Sequence, residues 1–231
     1  MYANFFKRII DFTLSLIALL ILSPILLILI IIGAIAMRGN PFFVQLRPGK
    51  ISKKTGEEKI FKLIKFRTMS NAKDKEGNLL PDDKRLNKYG KLLRKTSLDE
   101  LPELLNILVG DMAIVGPRPQ LVRDMVFMSA TVRQRHSVRP GLTGLAQSSG
   151  RNAMSWEKKF EYDLKYIEKI TLWGDIAIIL KTIFKVFARD GITEADVATA
   201  TDLGDYLLSK GEVTKEKYDS LQTEAKELMK V

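Results

Sequence analysis

The stretch "KTSLDELPELLNIL", Lys95 to Leu108, sets Asp99 and Glu100 side by side where a helix should begin. Two readings are open. Ser97 and Glu100 have the spacing of a capping box, in which each side chain satisfies the other residue's free backbone N–H. Acids in a first turn also complement the positive end of the helix dipole. The other reading is chemical, with one of the pair acting on a substrate. A second candidate is "VGPRP", where Pro117 and Pro119 fix their own φ and push the preceding residue into an extended conformation. Arg118 between them is a permanently charged, forked donor on a stiff backbone, as a bidentate grip on phosphate requires. Further cations stand in "KFRTM" (Lys65, Arg67), at Arg94 just before the acidic pair, in "RHSVRPGLTG" (Arg135, Arg139) and in "GRN" (Arg151). The glycines beside Arg139 would let backbone amides approach a ligand. Each of these, alone, reads equally well as an arginine in water. His136, the only histidine, is read as structural, and one histidine cannot make a zinc site.

The elements that must position these residues begin with a membrane segment. From Ile9 to Met37 the only charge is Asp11, and the run exceeds the ~20 residues that cross a bilayer. It is also too long for the ~7–15-residue apolar core of a signal peptide. Ser23-Pro24 sits near its middle, where proline removes a helical hydrogen bond. Basic residues flank both ends: Lys7 and Arg8 before it, Arg38, Arg47 and Lys50 after it. The positive-inside rule then places both flanks in the cytoplasm. A re-entrant helix-break-helix over 1–38 satisfies that rule, with a kinked spanning helix as the alternative. The break requires Ser23 or a neighbour to satisfy the freed carbonyls.

Beyond it, residues 39–190 read as one catalytic domain, α+β and mainly helical. "FFVQLRPG" and "KIFKLIKFRTM" alternate as short strands around a polar connection. A charged loop, a helix from Ser97, a helical stretch to about Arg135 and a helix opening at "SWEKKFEYD" follow. The stripe Ile176, Ile179, Leu180, Ile183, Phe184 and Phe187 reads as a packed core helix, or as one lying in the headgroup layer beside Trp173. The extension 191–231 carries Tyr218, Leu221, Ala225 and Leu228 on one helical face, which needs a partner: its own domain, a second copy or another protein. The 231 residues include no cysteine, which excludes disulfides and thiolate metal sites. A net charge of +10 calls for a polyanionic partner. Aromatic interleaving for base stacking is thin, so nucleic acid is not expected. The non-enzyme reading is a membrane-tethered basic binding module, which leaves the ordered acids, prolines and glycines unexplained.

In chain order, Lys7-Arg8 with Asp11-Phe12, Ser23-Pro24, "QLRPG", "KFRTM", "SLDELPELLNIL", "VGPRP", "VRPG" and "KKFEYD" resemble the bacterial monotopic phosphoglycosyltransferases, down to the small single-domain enzyme of bacterial N-glycosylation. The resemblance runs to about Arg189. It implies transfer of a phosphosugar from a UDP-sugar to undecaprenyl phosphate with Mg²⁺, at the cytoplasmic face of the bacterial inner membrane. By the same resemblance Asp99 is the nucleophile and a metal ligand, Glu100 the general base and Arg118 a phosphate holder. Asp163 is placed near the metal or nucleotide. Relatives often read "TGWAQVNGRN" where this chain has "TGLAQSSGRN", so Leu145 and Ser148-Ser149 bear on nucleotide or sugar preference. No recognised motif lies in 191–231, so its loss is expected to spare UMP release.

Overall fold

A computed structural model describes residues 1–150, 154–188 and 201–230. Arg151 and the expected junction at residue 190 lie outside these residues, as does the side chain of Phe187. After a π-helical turn, Tyr2–Phe6, the chain forms α1, Lys7–Ala36, long and apolar enough to cross a membrane. The expected pair of half-helices is corrected here: α1 continues through Pro24. Proline offers no N–H to the Leu20 carbonyl, but the Ser23 hydroxyl donates to that carbonyl at 2.8 Å. The freed acceptor is satisfied without the chain leaving the helix.

Both ends of α1 are tied to the same domain. Lys7 Nζ bonds Asp175 at 2.7 Å, Arg8 donates to the Ile107 and Leu108 carbonyls at 2.6 and 2.8 Å, and Asp11 accepts from Ile114 N at 3.1 Å. Midway, Ala18, Leu19 and Leu22 pack on Phe61, Leu104 and Ile107. Toward the other end Leu26, Leu29 and Ile30 pack on Phe66 and Leu93, and Tyr89 donates to the Leu29 carbonyl at 2.9 Å. The opposite side is bare, with Leu20, Ile21 and Ile35 67%, 70% and 73% exposed.

The predicted strands form an antiparallel hairpin, β1 (Phe42–Ile51) and β2 (Glu58–Phe66). Asn106 continues its ladder, accepting from Ile64 N at 3.1 Å and donating to the Lys62 carbonyl at 2.8 Å. Two helices follow in the expected loop region, α2 (Asp82–Arg85) and α3 (Lys88–Thr96), and sequence reasoning missed the second. No helix starts at Ser97. That residue has φ 57° and ends α3; a 3-10 turn, Leu98–Glu100, precedes α4, Glu103–Val109.

Strand β3 (Ala113–Val115) leads into the P-R-P segment. The expected long helical stretch is two short helices, α5 (Val122–Met125) and α6 (Ala130–Arg133), and a 3-10 turn, Gln134–Ser137. Strand β4 (Gly141–Thr143) pairs parallel with β3. The glycines here serve backbone packing rather than a ligand: a Cβ on Gly141 would lie 2.1 Å from Gly116 N. Then come α7 (Leu145–Ser149), α8 (Trp156–Glu168, capped by Ser155 as predicted) and α9 (Leu172–Ala188). One face of α9 is core, with Ile178 buried against Val115 and Tyr166. The other is open, with Trp173 and Phe184 78% and 79% exposed. The tail forms α10 (Leu203–Ser209) and α11 (Lys215–Leu228), docked on its own domain. Leu203 joins Met128, Trp156 and Phe160, and Ala225 joins Val122 and Met125.

Candidate active site

Between the hairpin, the 3-10 turn, the P-R-P segment and α8 lies a cavity of about 980 Å³. Its wall contains Lys65, Arg67, Arg94, Asp99, Glu100, Arg118 and Asp163, so seven of the predicted residues converge. Pro117, Pro119 and Arg139 are not in the wall. Arg139 instead donates from Nε to the Gly110 carbonyl at 2.8 Å, where with Arg8 it satisfies the last carbonyls of α4. Leu145 packs with Val115 and Tyr166, so the departure at this position is a matter of core packing rather than of cavity contact. His136 is buried and bonds Glu58 at 3.1 Å, in the structural role expected of it.

The capping-box reading of Glu100 does not hold. Its carboxylate accepts from Lys65 Nζ and Arg118 NH2, both at 2.8 Å, and not from the Ser97 backbone. Burial opposes ionisation of Glu100, but Arg118 and Lys65 outweigh it and hold the carboxyl well below the usual range. The consequence falls on Asp99. Burial, and then the charge of Glu100, push Asp99 up to about 6. It is therefore mostly ionised at neutral pH yet poorly compensated, and among the described residues its carboxylate has no hydrogen bond. One acid is locked by cations, and its neighbour is left without a hydrogen bond among the described residues.

Sequence reasoning missed Glu103 here and gave Arg47 and Arg135 other roles. Glu103, the first residue of α4, is buried and shares Lys65 with Glu100, at 3.0 Å. Burial, then Glu100, push Glu103 up to about 7. The signal was present: a third acid one helical turn beyond the pair. Arg47 had been read only as a membrane-flanking cation, yet it lines the cavity beside Arg118. Arg135, a phosphate candidate in the sequence, is 1% exposed and donates from Nε and NH2 to Asp163 Oδ2 at 2.9 and 2.6 Å.

Among the described residues no group of three or more His, Asp or Glu is placed to hold a metal ion. Asp99 can serve as a carboxylate ligand to a hard divalent ion that takes its remaining oxygens from a bound diphosphate, a donor set that suits Mg²⁺.

Comparison with known proteins follows the same residues. A family model described as bacterial sugar transferase matches residues 2–189. The chain is 44% identical over 194 residues to the uncharacterized sugar transferase EpsL of Bacillus subtilis (strain 168), covering 84% of this chain and 93% of that protein. It is 39% identical to a UDP-glucose:undecaprenyl-phosphate glucose-1-phosphate transferase of Klebsiella pneumoniae over 79% of this chain. Identity to a UDP-galactose-lipid carrier transferase of Erwinia amylovora is 36%, over 82% of this chain. It spans only 40% and 42% of those two proteins. With the match running through the apolar helix, the Asp99–Glu100 turn and the P-R-P segment, the chain belongs to the bacterial sugar transferase family.

Proposed function

We propose that this protein moves a sugar-1-phosphate from a UDP-sugar to undecaprenyl phosphate, releasing UMP, through a covalent intermediate on Asp99. The observation that carries the reading is the pairing of Asp99, whose carboxylate makes no hydrogen bond among the described residues, with an acid locked by Lys65 and Arg118. An Oδ of Asp99 attacks the phosphorus that bears the sugar, and the phosphoanhydride bond to UMP breaks. Arg118 and Lys65 hold the charge developing on the phosphate oxygens. The acyl phosphate then passes its phosphosugar to an oxygen of the polyprenol phosphate, restoring the carboxylate. Glu100, held well below the usual carboxylate range, serves to orient that acceptor through Lys65 and Arg118 rather than to take its proton. Asp99, with Asp163 in the same cavity wall, would hold Mg²⁺, which would supply charge neutralisation to the diphosphate when bound. Lys65, Arg67 and Arg94 line the route for the donor's phosphates.

The same reading sets the protein in the bacterial inner membrane, with its catalytic domain on the cytoplasmic face and the continuous α1 bent at Pro24 so that both its ends stay on that face. Ties from Lys7, Arg8 and Asp11 at one end and Leu29 at the other to a single domain support this arrangement. The prenol tail then lies in the leaflet while its phosphate reaches the cavity.

Mixing enzyme with UDP-sugar and Mg²⁺, without prenol, should release UMP at no more than one equivalent. Intact-mass analysis should show one added phosphosugar mapping to Asp99. Asp99→Asn should abolish both, and Glu100→Gln should slow turnover. If the wild-type protein forms no adduct and turnover needs both substrates bound together, direct displacement replaces the covalent route. A panel of UDP-sugars identifies the donor.

A further inference from the structure

The P-R-P segment poses an anchoring problem. Pro117 and Pro119 have no N–H, so the loop can be tied to the protein mainly through its carbonyls. Three successive carbonyls are in fact taken by three separate elements. Pro117 O accepts from Gly141 N of β4 at 3.0 Å. Arg118 O accepts from Arg135 NH2 at 2.6 Å. Pro119 O accepts from Arg47 NH1 of β1 at 3.0 Å.

Neither arginine is placed there cheaply. Arg135 is 1% exposed and needs Asp163 of α8 as its counter-charge. Arg47 has its other terminal nitrogen on Gln45 Oε1 at 2.6 Å, and its Nε is buried without a hydrogen-bond partner. A buried unpaired donor beside a second guanidinium is costly. What the pair secures is the aim of the Arg118 side chain, which leaves the bracketed backbone and reaches Glu100 at 2.8 Å.

We propose that Arg47 and Arg135 are positioning residues that act through Arg118, clamping its own carbonyl and that of the following Pro119 so that its guanidinium is held at the acidic pair. Asp163 belongs to the device as the neutralising partner of Arg135. The inference rests on the reading of Arg118 as a phosphate holder. Misplacing such a group by about 1 Å can cost about 10²-fold in rate.

A double-mutant cycle tests it, with the full-length enzyme in detergent, kcat/KM for UDP-sugar as the readout and a melting curve for each variant. Arg47→Met should lower kcat/KM by at least about 10-fold in the wild-type background. In the Arg118→Ala background the same change should matter by less than about twofold, because the group being aimed is gone. Arg47→Lys, which keeps a donor that can reach Pro119 O, should fall between. If Arg47→Met lacks a melting transition, the Lys variant must show the same dependence on background. Equal losses in both backgrounds would mean that Arg47 touches substrate itself or acts on the fold at large, and the proposal fails. No loss in the wild-type background sinks it as well. Full activity of Arg118→Ala alone would instead overturn the reading of Arg118, separately from the clamp.

Discussion

At the scale of single residues, the site works by unequal sharing of cations. Lys65 and Arg118 both go to Glu100, so Asp99 and Glu103 carry the cost of three acids in one place. If Arg118 grips phosphate with its fork, Arg118→Lys keeps the charge, loses the bidentate geometry, and should cost ~1–3 kcal/mol in kcat/KM. Full activity in that variant would show that a point charge suffices. Glu103 makes a pH prediction. Its folded-state pKa, about 7, lies above the ordinary 4.5, so the folded protein binds this proton more tightly than the unfolded chain. Ionised Glu103 therefore opposes folding progressively from about pH 4.5 and fully above about pH 7. Glu103→Gln should raise the melting temperature relative to wild type at pH 8, and the difference should vanish near pH 4.5. A Gln variant that is less stable at pH 8 would mean that the Lys65 pair outweighs the burial. At this scale the prolines around Arg118 marked it in the sequence, whereas Asp99 and Glu100 read equally as a cap until the family resemblance gave them roles. Arg47, Arg135 and Arg139 were not legible in their true roles. A guanidinium aimed at a distant carbonyl looks, in sequence, like one aimed at a phosphate.

At the scale of elements, alternation made the hairpin plain, and Ser155 announced α8. The failure at Ser97 has a physical reason: its spacing to Glu100 imitates a cap, while long-range pairing with Lys65 and Arg118 takes the acid away. Helix α3 was overlooked because "KYGKLLRKT" is polar and holds a glycine. Gly90 is there for clearance, since a Cβ would lie 1.9 Å from the Thr68 carbonyl. The Ser23–Pro24 pair was rightly singled out, but its effect is a repaired helix rather than two helices. Topology can be read directly, since the chain has no cysteine of its own. Cysteines at Ala3 and Asn40, each in its own variant, should both resist an impermeant thiol reagent added outside intact cells. Labelling at Ala3 alone would establish a spanning helix.

At the scale of the whole molecule, the tail docks on its own domain, one of the partners expected for it, and reaches the cavity. Leu203 N donates to Asp124 at 2.9 Å, Arg123 pairs with Asp202 at 2.7 Å, and Thr201 and Asp202 stand in the cavity wall. Deleting residues 201–231 uncovers Trp156, Met125 and Met128. It should lower the melting temperature by at least about 5 °C, given ~1.5–3 kcal/mol for each large apolar side chain and ~2–4 °C per kcal/mol at this size. UMP release should fall with it. An unchanged melting temperature would make the docking incidental. The ties of α1 to its domain carry a further consequence, in time. Asp175, which receives Lys7 and Tyr2 at 2.7 Å and Tyr166 at 2.9 Å, is made 168 residues after Lys7. At ~5–20 residues per second, the ribosome needs roughly 8–34 s to deliver it. Asp11 and Lys7 are both made at the start of that interval. Within α1 they are one turn apart, 3.8 Å between charged atoms, and can neutralise each other from the start. The pair is local to α1, so its formation does not wait for Asp175, whereas the 2.7 Å contact of Lys7 with Asp175 does.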